Sequence, residues 1–176
     1  MYCLAREMDG LPIISLQTSE AVALARSPII DIATLEIQAF HCRGAQGHQP
    51  LLLMTRDIRQ MATDCIIIDS ADELADPSDI IRLQQLIEDA YSPIGKMVIS
   101  DAGRKLGTVD DYSINLDTNR VQKLYVRGGI LSSWLGTNLA IDRTQIIDIT
   151  PQKITVREAT IKSPLLPSEP IPESPS

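Results

Sequence analysis

LGTVDDYSINLDTNRVQKLYV, residues 106–126, reads as two strands joined by a tight turn. Gly107, Val109, Tyr112 and Ile114 belong to the first strand. Leu116, Asp117, Thr118 and Asn119 carry turn chemistry, because Asp bonds nearby backbone and Asn tolerates a left-handed conformation. In the second strand Val121, Lys123 and Tyr125 alternate with Gln122, Leu124 and Val126. Neither set is cleanly polar, so the strand is expected to be partly covered on both faces.

A degenerate copy lies earlier, in EAVALARSPIIDIATLEIQAFHC. An offset of 84 sets Ile37 against Val121, Gln38 against Gln122, Phe40 against Leu124 and Cys42 against Val126. The same offset pairs Ala23 with Gly107 and Ile30 with Ile114. Downstream the offset becomes 88, setting Ile58, Met61, Ile66 and Ile68 against Ile146, Ile149, Ile154 and Val156. The extra four residues fall in the loop between. A fixed period in apolar positions, with the mismatch confined to a loop, is the pattern of tandem modules.

These stretches resemble the PRC-barrel family, the small β-barrel of the photosynthetic reaction-centre H subunit and of the C-terminal half of a ribosome maturation factor. The later copy carries the family's run as IGKMVISDAGRKLGTVDDY, NLDTNRVQKLYV and IDRTQIIDITPQKITV; the earlier one as GLPIISLQTSEAVA, DIATLEIQAF and TRDIRQMATDCIII. Together they cover about residues 10–158. Ala23 stands where the family prefers Gly, and Leu35 where Gly or Asn is usual. The chain also looks similar to bacterial proteins with two such barrels. The resemblance implies antiparallel barrels and a docking or assembly role, and it carries over no catalytic residues.

The expected fold is therefore mainly β, with two small antiparallel PRC-type barrels in tandem joined by an α-helix. Residues 1–76 form the first, degenerate module, 77–92 the linker helix and 93–162 the second module. Residues 163–176, SPLLPSEPIPESPS, are a Pro-rich tail expected to be disordered, because such composition buries too little apolar surface. In the first module the strands expected are 12–16, 21–25 with 29–30 beyond Ser27-Pro28, 35–42, 51–54 and 65–68. The linker helix is expected over about 77–90. Asp76 before Pro77 is a helix start, and Ile80, Leu83 and Ile87 give one apolar face. Modules of about 70 residues are marginal alone, so the two are expected to pack together.

The net charge of −7 is uneven. Residues 1–92 hold 6 Lys/Arg against 14 Asp/Glu, a balance of −8, and residues 93–162 hold 10 against 7, a balance of +3. The tail adds −2 through Glu169 and Glu173. No run of about 18 apolar residues exists, and MYCLAREMDG has no signal-peptide pattern. Three cysteines without such a signal fit reduced thiols in a cytoplasmic protein. Cys42 and Cys65 read as small core residues.

Several clusters bear on function. The Gly-rich loop RGGILSSWLGTN, residues 127–138, holds Ile130, Leu131, Trp134 and Leu135. These are the candidate partner-binding residues, since Trp is enriched among binding hot spots; the other reading folds them over the barrel mouth. His41, Cys42, His48 and Cys65 match no zinc spacing, so neither metal nor cofactor is expected. Asp110, Asp111, Asp117 and Asp142 sit near turns, where solvated acids are ordinary. Asp69, Asp72, Glu73, Asp76 and Asp79 read as a solvated linker and cap. Arg104, Lys105, Arg120, Lys123, Arg127 and Arg143 are the candidates for RNA phosphates, without aromatic stacking partners. No catalytic triad, P-loop or dinucleotide fingerprint is present. The expectation is a non-enzymatic adaptor or assembly protein that binds another protein through barrel loops. The alternative is a ribosome-maturation-type factor that contacts ribosomal protein or rRNA.

Overall fold

The computed structural model describes residues 1–45, 47, 49–128 and 139–157. The chain is mainly β, and its strands form one curled half-barrel sheet. In chain order the first elements are β1 (Tyr2–Leu4), α1 (Ala5–Met8), β2 (Pro12–Ser15), β3 (Glu20–Asp31) and β4 (Glu36–Gly44). They are followed by β5 (Pro50–Met54), β6 (Ile58–Met61), β7 (Ile66–Ile68), β8 (Leu74–Ala75) and α2 (Gln84–Asp89). The last are β9 (Met97–Ser100), β10 (Lys105–Asn115), β11 (Arg120–Arg127), β12 (Leu139–Asp142), β13 (Ile146–Ile149) and β14 (Lys153–Val156).

The sheet is ordered about its middle. β4 pairs with β11, and from that pair the order runs outward as β3, β2, β7, β6 on one side and β10, β9, β14, β13 on the other. Registers repeat as well. Ala25 faces Cys42 and Ile30 faces Ile37; 84 positions on, Val109 faces Val126 and Ile114 faces Val121. Ile13 and Ile66 lie in parallel register as do Val98 and Ile154. Ile58 faces Ile68 as Ile146 faces Val156. At the junction Ile37 N donates to Asn119 O at 2.8 Å, and Val121 N donates to Leu35 O at 3.0 Å. Leu35 and Asn119 both adopt positive φ there, 56° and 52°. Arg120 and Glu36 are opposed across the same junction and form an ion pair.

Simple alternation fails in β4 and β11 because both carry a bulge. The partner of Ile29 is Ala39, while that of Ile30 is Ile37, so Gln38 is skipped. Ser113 and Ile114 likewise face Lys123 and Val121, skipping Gln122. An extra residue shifts the phase of the pleat. Val121 therefore points inward with Leu124 and Val126, and Lys123 is exposed. β3 is also one strand, not two pieces: the register slips between Ala25 and Pro28 and the pairing continues. The missing Pro28 N–H is tolerated at such an irregularity.

One apolar cluster runs through both halves, joining Ile13, Ile37, Phe40 and Ile66 to Val98, Tyr112, Val121, Leu124 and Ile154. The outer faces differ. On the first half Ile29, Ala39, Leu52 and Met54 form a second apolar cluster with Leu83, against which Ile80, Leu86 and Ile87 pack. At the matching positions of the second half stand Ser113, Lys123, Ala140 and Asp142. The connecting segment therefore covers the face whose residues need cover.

That segment is not the continuous helix expected over 77–90. Asp76 does cap, its Oδ1 accepting from Ser78 N at 2.8 Å. The chain then makes 3-10 turns at Pro77–Asp79 and Ile81–Leu83, divided at Ile80 (φ −107°, ψ 73°), before α2 begins. Ser, Asp and two isoleucines are poor helix formers, and the helix starts where Gln84, Gln85, Leu86 and Glu88 supply better ones. The entering segments cross over. β1 pairs with β10 of the second half, and α2 packs on the outer face of the first. Residues 163–176 lie outside the described residues.

Candidate functional site

The candidate residues Ile130, Leu131, Trp134 and Leu135 lie outside the described residues. Their loop joins β11 to β12 at the end where Val126 faces Leu139. In the chain it corresponds to the shorter connection between β4 and β5, so the change of offset from 84 to 88 falls there.

The charged and thiol groups divide by what they touch. Asp110 pairs with Arg127. Asp111 is buried; its Oδ1 accepts from Tyr112 N at 2.8 Å, and its Oδ2 lies 3.4 Å from Arg6 Nε. Asp117 Oδ2 accepts from the Met1 amino group at 2.6 Å. Asp142 caps the turn Arg143–Gln145, accepting from Thr144 N at 3.0 Å, while its own N–H donates to Gln145 Oε1 at 2.7 Å. The hydrogen bond from the Thr144 N–H is the main cause holding the Asp142 carboxyl below its ordinary range. In the acidic run, Asp69 pairs with Arg59 at 2.7 Å and Asp76 caps its turn. Among the described residues no group of His, Cys, Asp and Glu is arranged to hold a metal ion. His48 lies outside them, and burial of His41 disfavours its protonated form.

The three thiols are free. Burial pushes Cys42 up to about 12. It also pushes Cys3 up to about 11, helped by the hydrogen bond to Glu7. Cys65 is not the core residue expected; it is half-buried just before β7, where the strand has not yet entered the core. Because the thiolate is the reacting form, alkylation of native protein at pH 8 is expected to modify Cys65 first. Cys3 and Cys42 should stay unmodified until denaturant is added, as read by peptide mass mapping. Equal rates for all three would contradict the burial described.

The basic residues do not gather into one patch. Arg120 and Arg127 stand at opposite ends of β11, about 23 Å apart at the usual rise per residue. Each is paired with an acid, Glu36 or Asp110. Lys123 faces Asp142 on β12.

Arg143 is the exception. It begins the turn between β12 and β13, where the first half has Thr55, whose Oγ1 donates to Gln38 O at 3.1 Å. Arg143 lines a groove of about 390 Å³ between β13 and the turn 32–35. Its Nη1 is shut from solvent with no hydrogen-bond acceptor. Burial, and then the like charge of Arg120, weaken its hold on its proton relative to an ordinary arginine. The sequence signal for it was a departure from the repeat: an Arg where the other copy has a small hydroxyl residue.

The fold and its groups thus define a β protein whose singled-out carboxylates serve as caps and ion-pair partners. Residues 87–161 match the family model of the PRC-barrel domain, so a PRC-barrel domain is found there. The match begins within α2 and covers β9 to β14. No curated protein matches the chain. Among the described residues no helix is long and apolar enough to cross a membrane.

Proposed function

We propose that the chain is a non-catalytic adaptor of two PRC-type modules, residues 1–76 and 93–162, that holds another protein through its loops. The PRC-barrel domain at 87–161 carries this reading, since it suggests a protein-interaction module. The repeated register at offsets 84 and 88 supports assigning the first half to the same module type. The non-catalytic part rests on the roles of Asp110, Asp111, Asp117 and Asp142, each engaged in an ion pair, a backbone bond or a cap. Free cysteines suit a reducing, cytoplasmic setting.

Ile130, Leu131, Trp134 and Leu135 are the proposed anchors, because large apolar side chains, Trp above all, fill partner pockets well. Affinity purification with mass spectrometry tests this. A partner retained by the parent chain is expected to be lost with Trp134→Ala while the melting temperature is unchanged. Full retention by that variant removes the loop from the proposal.

A further inference from the structure

β13 ends the sheet. Among the described residues it pairs with β14 and with no second strand, which leaves one row of its backbone donors and acceptors open. Such an edge is a template for an incoming extended chain. The groove between β13 and the turn 32–35 runs along this strand; Ile32, Leu35, Ile146 and Ile147 line it, while more of its surface is polar than apolar. Ile147 is half exposed, the most exposed aliphatic side chain on that wall of the sheet. Arg143 sits where β13 begins.

We propose that this groove binds an extended peptide segment of a partner protein. The segment is added as a strand on β13, with one Asp or Glu carboxylate on Arg143 and aliphatic side chains against Ile32, Ile146 and Ile147. Main-chain pairing supplies affinity in this mode, and side-chain pockets supply selectivity. The guanidinium is only partly exposed, carries an unsatisfied donor, and has a like-charged neighbour in Arg120. Nη1 itself is closed to solvent, so a carboxylate in the groove would bond the exposed part of the guanidinium and balance its charge. A nucleic acid does not fit. Arg120 is already tied to Glu36, and the exposed Asp148 lines the same groove, so among the described lining residues a polyanion meets one cation beside an acid.

The inference deepens the adaptor reading and rests on it for the source of the peptide. Its test is separate from the Trp134 experiment. Fluorescence polarisation of the full chain would use a labelled synthetic heptapeptide, Ser-Val-Ile-Glu-Val-Ile-Ser, and its Glu-to-Gln counterpart. Saturable binding of the Glu peptide is expected, about tenfold tighter than that of the Gln peptide, as for a hydrogen bond to a charged group. Arg143→Gln should remove the preference, and Arg143→Lys should keep part of it, with both variants melting as the parent does. Equal binding of the two peptides overturns the proposal. So does a preference that survives in a folded Arg143→Gln chain, or no binding of either peptide at about 1 mM. A dimer by sedimentation that dissociates in Arg143→Gln would assign the groove to a second copy and also overturn it.

Discussion

Gly107→Ala is expected to unfold the protein or cost about 4 kcal/mol or more, because overpacking here is against backbone. Gly107 sits at φ 146° where β10 passes the end of β11. A β-carbon there would lie 2.6 Å from the Arg127 carbonyl oxygen, closer still to that of Gly128, and 2.8 Å from the Val126 side chain. Two of these three neighbours are main chain and can yield only if the β10–β11 ladder separates. The matched position in the first half holds Ala23, fully buried without such a conformation. Ala23→Gly is therefore expected to cost only about 1 kcal/mol, through lost burial and added chain entropy. Urea melts followed by circular dichroism measure both. Comparable losses at the two sites would mean that the crowding at Gly107 is relieved.

Val121→Asp and Ile37→Asp form the second large effect. Both residues are almost wholly buried, at 1% and 2% exposure, and each donates its N–H across the central junction. Neither site offers a new carboxylate a partner, so a cost of about 3–5 kcal/mol is expected. The more telling consequence is its reach. The apolar cluster is continuous from Ile13 to Ile154, and each half alone is small enough to be marginal. Either substitution should therefore expose both halves together. Hydrogen exchange is expected to show the amides of Ile66 and Ile154 losing protection at the same denaturant concentration. Protection kept in the unmutated half would mean that the modules are separately stable.

The features legible in the sequence were those encoded by local pattern. The offsets 84 and 88 set side by side residues that occupy matching places in the ladders, because inward side chains must recur wherever the same pairings recur. Asp76 could be read as a cap since the cap depends on its immediate neighbours. Alternation alone gives the wrong phase for 121–126, because the bulge at Gln122 belongs to the pairing with β10, which a single strand's pattern does not contain. The linker helix was overextended because the spacing of Ile80, Leu83 and Ile87 says which face is apolar, not whether Ser78 to Ile81 sustain helical backbone. Cys65 was placed in the core because it adjoins three isoleucines. Arg143 was grouped with other cations by charge alone; only tertiary structure separates a guanidinium with an unsatisfied donor from those already paired. The association of β1 with β10 left no trace in local sequence.

That last pairing has a consequence for how the molecule is made. During translation, residues 2–4 are made more than a hundred residues before their hydrogen-bonding partners at 113–115. β1 stays without this partner while β2 to β8 and α2, which precede β10 in the chain, are made. Long-range closure of this kind slows folding. β1 is thus a strand that cannot settle until β10 has been synthesised.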